Sequence, residues 1–101
     1  LSLGSLRAEE RLAAFLLNLS QRLAARGYQN NEFDLRMSRV EIGSYLGIQI
    51  ETVSRMLSRF AESGLIQIKQ RHIKLIDMDG LYELASIPNP DRAIQIKPIS
   101  A

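Results

Sequence analysis

Three side chains carry the densest chemistry in this chain. Glu51, Ser54 and Arg55 stand at i, i+3 and i+4, so on a helix they project from one face. Together they offer a carboxylate acceptor, a small hydroxyl and a planar fork of donors. A guanidinium can donate two hydrogen bonds to the O6/N7 edge of guanine, and a carboxylate can accept from the N4 amine of cytosine. A serine can meet several base edges, or set its methylene against a thymine methyl. The same spacing also makes an ordinary i, i+4 ion pair on a solvated face. The flanking elements decide between the two readings.

Val53, Met56, Leu57 and Phe60 form an i, i+3, i+4, i+7 set, which predicts a helix over about 49–63 with Glu51, Ser54 and Arg55 on its other face. Gly64 ends it. Upstream, Ser38-Arg39-Val40-Glu41 has the S-x-x-E form of a capping box. It opens a helix from Arg39 to about Leu46 that is expected to bury Val40, Ile42 and Leu46. Gly47 stands where the turn needs φ > 0, and Gly43 lets the two helices approach. Downstream, the runs Leu65–Ile68 and Ile73–Ile76, separated by the four residues Lys69–His72, read as a β-hairpin.

Two short helices around a tight turn, with a hairpin after them, make a winged helix-turn-helix: the helix pair at about 38–63, the wing at about 65–76. In that frame Glu51, Ser54 and Arg55 lie near the start of the second helix, where residues reach base edges. The base-reading assignment is therefore preferred over the plain ion pair.

The rest of the chain is support. Ser5 is a plausible N-cap for a long helix, Arg7 to Arg26, with Leu12, Leu16, Leu19 and Leu23 and neighbouring Phe15 as its apolar stripe and Gly27 as its end. Residues 28–32 form a polar loop, and Phe33–Met37 alternates like a short strand. Asp79 could cap a last helix through Ala85, stopped by Pro88 and Pro90, and Ala93–Ile96 could form an edge strand. The expected organisation is one α+β, mainly helical domain over 1–86, with a mobile tail at 87–101.

A length of 101 residues suits one domain, and 46% apolar with 24% charged residues is ordinary for a soluble protein. The net charge of +2 is mild, but residues 49–74 hold five cations against two anions. That concentration is what a phosphate-backbone binder needs. Arg39, Arg59, Lys69, Arg71 and Lys74, with Gln49 and Thr52, are the candidate phosphate contacts, which set register and salt dependence but carry no sequence information. The absence of cysteine excludes disulfides, thiolate zinc sites and a cysteine nucleophile. The single histidine, His72, reads as a wing surface residue. Catalytic constellations are missing, so no enzyme, metal site or cofactor is expected in this chain. A bilayer-spanning run and a signal-peptide pattern are also missing, so a soluble, cytoplasmic protein without a membrane partner is expected. The first residues, Leu-Ser-Leu-Gly-Ser, suggest a segment of something longer. Two rival readings are a winged helix that docks proteins and an architectural DNA binder without sequence preference.

The residues also support a resemblance. Ala8–Phe15, Asn18-Leu19-Ser20, Glu32-Phe33, Ile42–Gly47 and Glu51–Arg55 resemble the C-terminal DNA-binding domain of the Crp/Fnr family of bacterial transcription regulators, over about residues 8–85. The glutamate–serine–arginine motif is similar to that of the oxygen-responsive Fnr/Anr branch. The resemblance implies that Glu51 and Arg55 read the G·C pair of a TTGAT-type half-site and Ser54 a thymine. Ile50 stands where the Crp branch has an arginine, and Ser54 where it has glycine, which argues against Crp-like preference. Arg39, Gln49, Thr52, Lys69 and Arg71 fall at family positions that touch phosphates, and the loop from Leu23 to Phe33 at one that touches RNA polymerase. The family further implies a homodimeric parent on a palindromic operator. Its sensory and dimerisation regions, and any iron–sulfur cluster, would lie outside this chain.

Overall fold

A computed structural model describes residues 2–28 and 30–90. The order of elements is α1 (Ser2–Ala25), β1 (Glu32–Asp34), α2 (Arg39–Leu46), α3 (Ile50–Glu62), β2 (Ile66–Lys69), β3 (His72–Leu75) and α4 (Met78–Ala85). This is the winged helix-turn-helix expected from the sequence, with two additions. The sheet has three antiparallel strands in the order β1-β3-β2, so β1 closes the free edge of the hairpin. And α4 packs along α1 more extensively than any other element does.

That second contact rearranges the expected stripe on α1. The fully buried positions are Leu12, Ala13, Leu16, Leu17 and Ser20, while Phe15 and Leu19 are only partly covered. Gln21 Nε2 donates to the Tyr82 hydroxyl at 2.9 Å across the same joint. The helix also begins earlier than predicted, at Ser2, so Ser5 lies within it rather than capping it.

The α2–α3 unit is built by local rules. Ser38 Oγ accepts from the Glu41 N–H at 3.1 Å while Glu41 Oε1 accepts from the Ser38 N–H at 2.8 Å, the reciprocal capping box. Gly47 has φ +72°, and the Ile48 N–H returns to the Gly43 carbonyl at 2.8 Å. A Cβ on Gly43 would run into the Ile48 carbonyl oxygen and stand 3.5 Å from Val53 Cγ2. Close approach at Gly43 is therefore set first by the turn itself and only then by α3. Val40 is exposed rather than buried. It lies two residues from buried Ile42, which is about 200° around a helix, so the two cannot share a face.

Three boundaries differ from expectation. The hairpin loop is two residues, Gln70 and Arg71, because Lys69 and His72 pair across the strands. Backbone pairing extends the strands past the apolar run that marked them in the sequence, and Gln70 takes φ +57° to make the tight turn. β1 ends at Asp34 rather than Met37; the Leu35 N–H still reaches the Arg71 carbonyl at 2.7 Å before the chain turns to the Ser38 cap. The last helix is capped by Asp77, whose carboxylate accepts from the Gly80 N–H at 2.9 Å, and Asp79 sits in its first turn. Asn89 Nδ2 donates to Asp79 Oδ1 at 2.7 Å, tying this part of the expected tail to α4. The strand considered for Ala93–Ile96 lies outside the described residues.

Two substitutions test this account by urea denaturation. Gly43→Ala gains helix propensity but must displace turn backbone, and a net loss of roughly 1–3 kcal/mol is expected. Ser38→Ala removes one half of the capping box and is expected to cost about 1 kcal/mol. An unchanged or raised midpoint for Gly43→Ala would contradict the packing of the turn.

Candidate nucleic-acid interface

α3 is held from three sides. Val53, Met56, Leu57 and Phe60 are all buried, as their spacing predicts. The turn and α2 fix its start. From α1, Arg11 Nε donates to the Leu46 carbonyl at 3.1 Å, satisfying an orphan acceptor at the end of α2. No sequence signal announces that bond, because its partners are 35 residues apart.

The opposite face carries the predicted reading group. Glu51 and Arg55 are exposed and Ser54 is half-buried beside them. Among the described residues no ion pair joins Glu51 to Arg55; instead Arg55 Nη2 donates to Thr52 Oγ1 at 3.3 Å. The alternative of a self-satisfied Glu–Arg pair is thus not realised, and both charges remain available. Gln49 occupies the N-cap position, exposed, with no capping bond from its side chain.

The candidate phosphate contacts fall into two groups and a link. Gln49 and Thr52 accompany the reading residues on α3. Lys69 and Arg71 are exposed at the wing tip. Arg39, the first residue of α2, donates from Nη2 to the Gln70 carbonyl at 3.2 Å, so it braces the wing tip against the helix pair. Arg59 stands farther along α3 and faces half-buried Glu9 of α1 at 3.5 Å, with its own side chain exposed and able to swing. Lys74 lies away from the tip on the central strand, half-buried and directly across from Glu32.

His72 is more engaged than a bare surface residue. Its Nδ1 lies 2.8 Å from Asp34 Oδ1 and its Nε2 2.6 Å from Glu32 Oε2. The hydrogen bonds to Glu32 and Asp34 raise the pKa of the ring above its ordinary 6.5, and the bond from His72 lowers that of Glu32 below its ordinary 4.5. The two carboxylates face different ring nitrogens and do not converge on a point. Among the described residues no cluster of histidine and carboxylates is arranged to hold a metal. Glu32 and Asp34 alternate on a strand, but the register that brings them to His72 is not visible in either segment alone. No helix among the described residues is long and apolar enough to cross a membrane.

Comparison with known proteins places this geometry. Residues 10–84 match the family described as the Crp-like helix-turn-helix domain. The chain is 63% identical over 83 residues to the transcriptional regulatory protein btr of Bordetella pertussis, covering 82% of this chain and 34% of that protein. It is 49% identical over 85 residues to the fumarate and nitrate reduction regulatory protein of Escherichia coli K12, covering 84% and 34%. The chain thus spans about a third of the length of these relatives. Among solved structures, FixK2 from Bradyrhizobium japonicum superposes with a TM-score of 0.71 at 37% identity, covering 81% of this chain and 40% of that one. The Thermus thermophilus catabolite activator protein does so with 0.65 at 28%, covering 83% and 36%. The relatives carry the names of transcription regulators, not of enzymes. The capped helix pair, its glycine turn and its wing make this chain a member of the Crp-like helix-turn-helix domain family of Crp/Fnr-type regulators.

Proposed function

We propose that this chain is the sequence-specific, double-stranded DNA-binding domain of a bacterial transcription regulator, with α3 in the major groove. The observation that carries this reading is the free polar face of α3, where Glu51, Ser54 and Arg55 are unpaired with one another above a fully buried apolar face. Arg55 donates to guanine O6/N7, Glu51 accepts from cytosine N4, and Ser54 meets a thymine, in a half-site of TTGAT type. Gln49, Thr52, Arg39, Arg59, Lys69 and Arg71 hold the flanking phosphates.

In the parent protein two such domains form a homodimer, with their α3 helices entering successive major grooves about 34 Å apart on a palindromic operator. The segment from Leu23 to Phe33 serves as the RNA polymerase contact, and the protein works in the cytoplasm. This chain has no cysteine, and any Fnr-type iron–sulfur cluster of the parent would be held outside it.

Fluorescence anisotropy on a palindromic TTGAT duplex and on a scrambled one tests the reading. Arg55→Ala is expected to lose roughly 1–3 kcal/mol on the palindrome and little on the scrambled duplex. Equal binding by the variant and the unmutated chain on the palindrome would refute base reading by α3. The double variant Lys69→Ala/Arg71→Ala is expected to weaken binding to both duplexes alike and to flatten the log–log salt slope by about two. An unchanged slope would remove the wing from the interface.

A further inference from the structure

We propose that the His72 imidazolium, clasped between Glu32 and Asp34, is a positioning residue for the wing cations Lys69 and Arg71, so that duplex affinity falls when His72 loses its proton. The inference rests on the DNA-binding reading above and concerns its regulation.

The argument starts from proton counting. A neutral imidazole has one N–H and can donate to one carboxylate only. Here both ring nitrogens lie within hydrogen-bond distance of carboxylate oxygens, at 2.8 and 2.6 Å. With both carboxylates ionised, the geometry is satisfied only when both nitrogens carry protons. Loss of one proton sets a ring lone pair against a carboxylate, and one of the two contacts must open.

Those contacts sit at the joint that fixes the wing. Asp34 is paired in register with His72 across β1 and β3, and Lys69 is paired with His72 from the other side, on β2. The Arg71 carbonyl is held by the Leu35 N–H just beyond Asp34. Other charges bear on the ring. Lys74 lies two residues along β3, opposite Glu32; Arg36 lines the same groove as Lys69, Arg71 and His72; and Arg39 reaches the Gln70 carbonyl from α2. When the clasp is closed, the imidazolium occupies both carboxylates and leaves these cations to the phosphates. When it opens, Glu32 or Asp34 competes with DNA for them, and the surface turns less positive by one charge.

The sign follows from the directions of the shifts. His72 is raised, so its contribution is present below pH 6.5 and is lost as pH climbs through the raised value. Glu32 is lowered, so its contribution is present above pH 4.5 and is lost as pH falls through the lowered value. The clasp is therefore closed between those limits and opens on the alkaline side.

Because His72 is the only histidine, its imidazole resonances can be titrated by NMR in the full 101-residue chain without ambiguity. The expected midpoint lies above 6.5 and shifts down in Glu32→Gln/Asp34→Asn. In parallel, anisotropy on the palindromic duplex at fixed salt is expected to show affinity about three- to tenfold weaker at about pH 8.5 than at about pH 6. His72→Gln should be weak at both values and His72→Lys tight at both. A ring midpoint at or below the ordinary value, or a fall in His72→Gln parallel to the unmutated chain, overturns the proposal. Absence of duplex binding at any pH instead overturns the DNA-binding reading, while the ring titration still decides whether the clasp exists.

Discussion

The fold depends on one backbone contact. At the α2–α3 corner the Ile48 N–H bonds the Gly43 carbonyl, and the Ile48 carbonyl sits where a Cβ on residue 43 would be. That contact folds the turn residue Ile48 back onto α2 and sets the direction in which α3 leaves. Everything that α3 presents to a partner inherits this direction. A helix whose angle drifted would carry the same side chains to the wrong places, since base-edge hydrogen bonds tolerate only a few tenths of an ångström. The left-handed Gly47 and the Ser38–Glu41 box serve the same corner from either side.

Around this corner the polar braces are individually weak. Glu9–Arg59 and the Arg39 bond to the wing tip are exposed, and such contacts contribute about 0–1 kcal/mol each. The energy that holds α3 comes from Val53, Met56, Leu57 and Phe60, buried in the shared apolar core with α2 and β2 as the neighbours of the helix. The braces act instead on small relative positions: α1 on the end of α2, α2 on the wing tip, β1 on the central strand. Ile66, Ile73 and Leu75 anchor the wing strands in the core, whereas the wing tip from Lys69 to His72 is exposed and held by its sheet register and polar contacts.

Much of this was legible in the sequence because it rests on local rules. The capping box, the glycine at the turn and the period of the α3 core are all written within a few residues of where they act. What was not legible depends on elements distant in sequence. The alternation at 33–37 marks a strand, but neither its start at Glu32 nor that it pairs with β3 rather than standing alone. Leu17 and Ser20 looked no more buried than Leu19 until α4 covered their side of α1. Val40 shows a different failure: apolar type was read as burial, against a helical period that already excluded it. The polar face of α3 was legible for the opposite reason. Glu51, Ser54 and Arg55 stand outside the buried set, so their types are not fixed by core packing.

In the proposed DNA complex, Glu51 is the residue that would separate a reader from a mere holder of DNA. An exposed carboxylate facing a polyanion weakens every complex in which it finds no donor, and the absence of an ion pair with Arg55 means its charge is not already neutralised within α3. Arg55, bonded among the described residues to Thr52, can leave that weak bond without exposing a buried charge. An attraction of Lys69 and Arg71 for phosphates would be the same on any duplex. The cost of Glu51 would be cancelled only where a cytosine amine met it. On the proposed reading, specificity is a difference between a uniform attraction and a penalty lifted at one base pair, which is how a short helix would discriminate without needing many contacts.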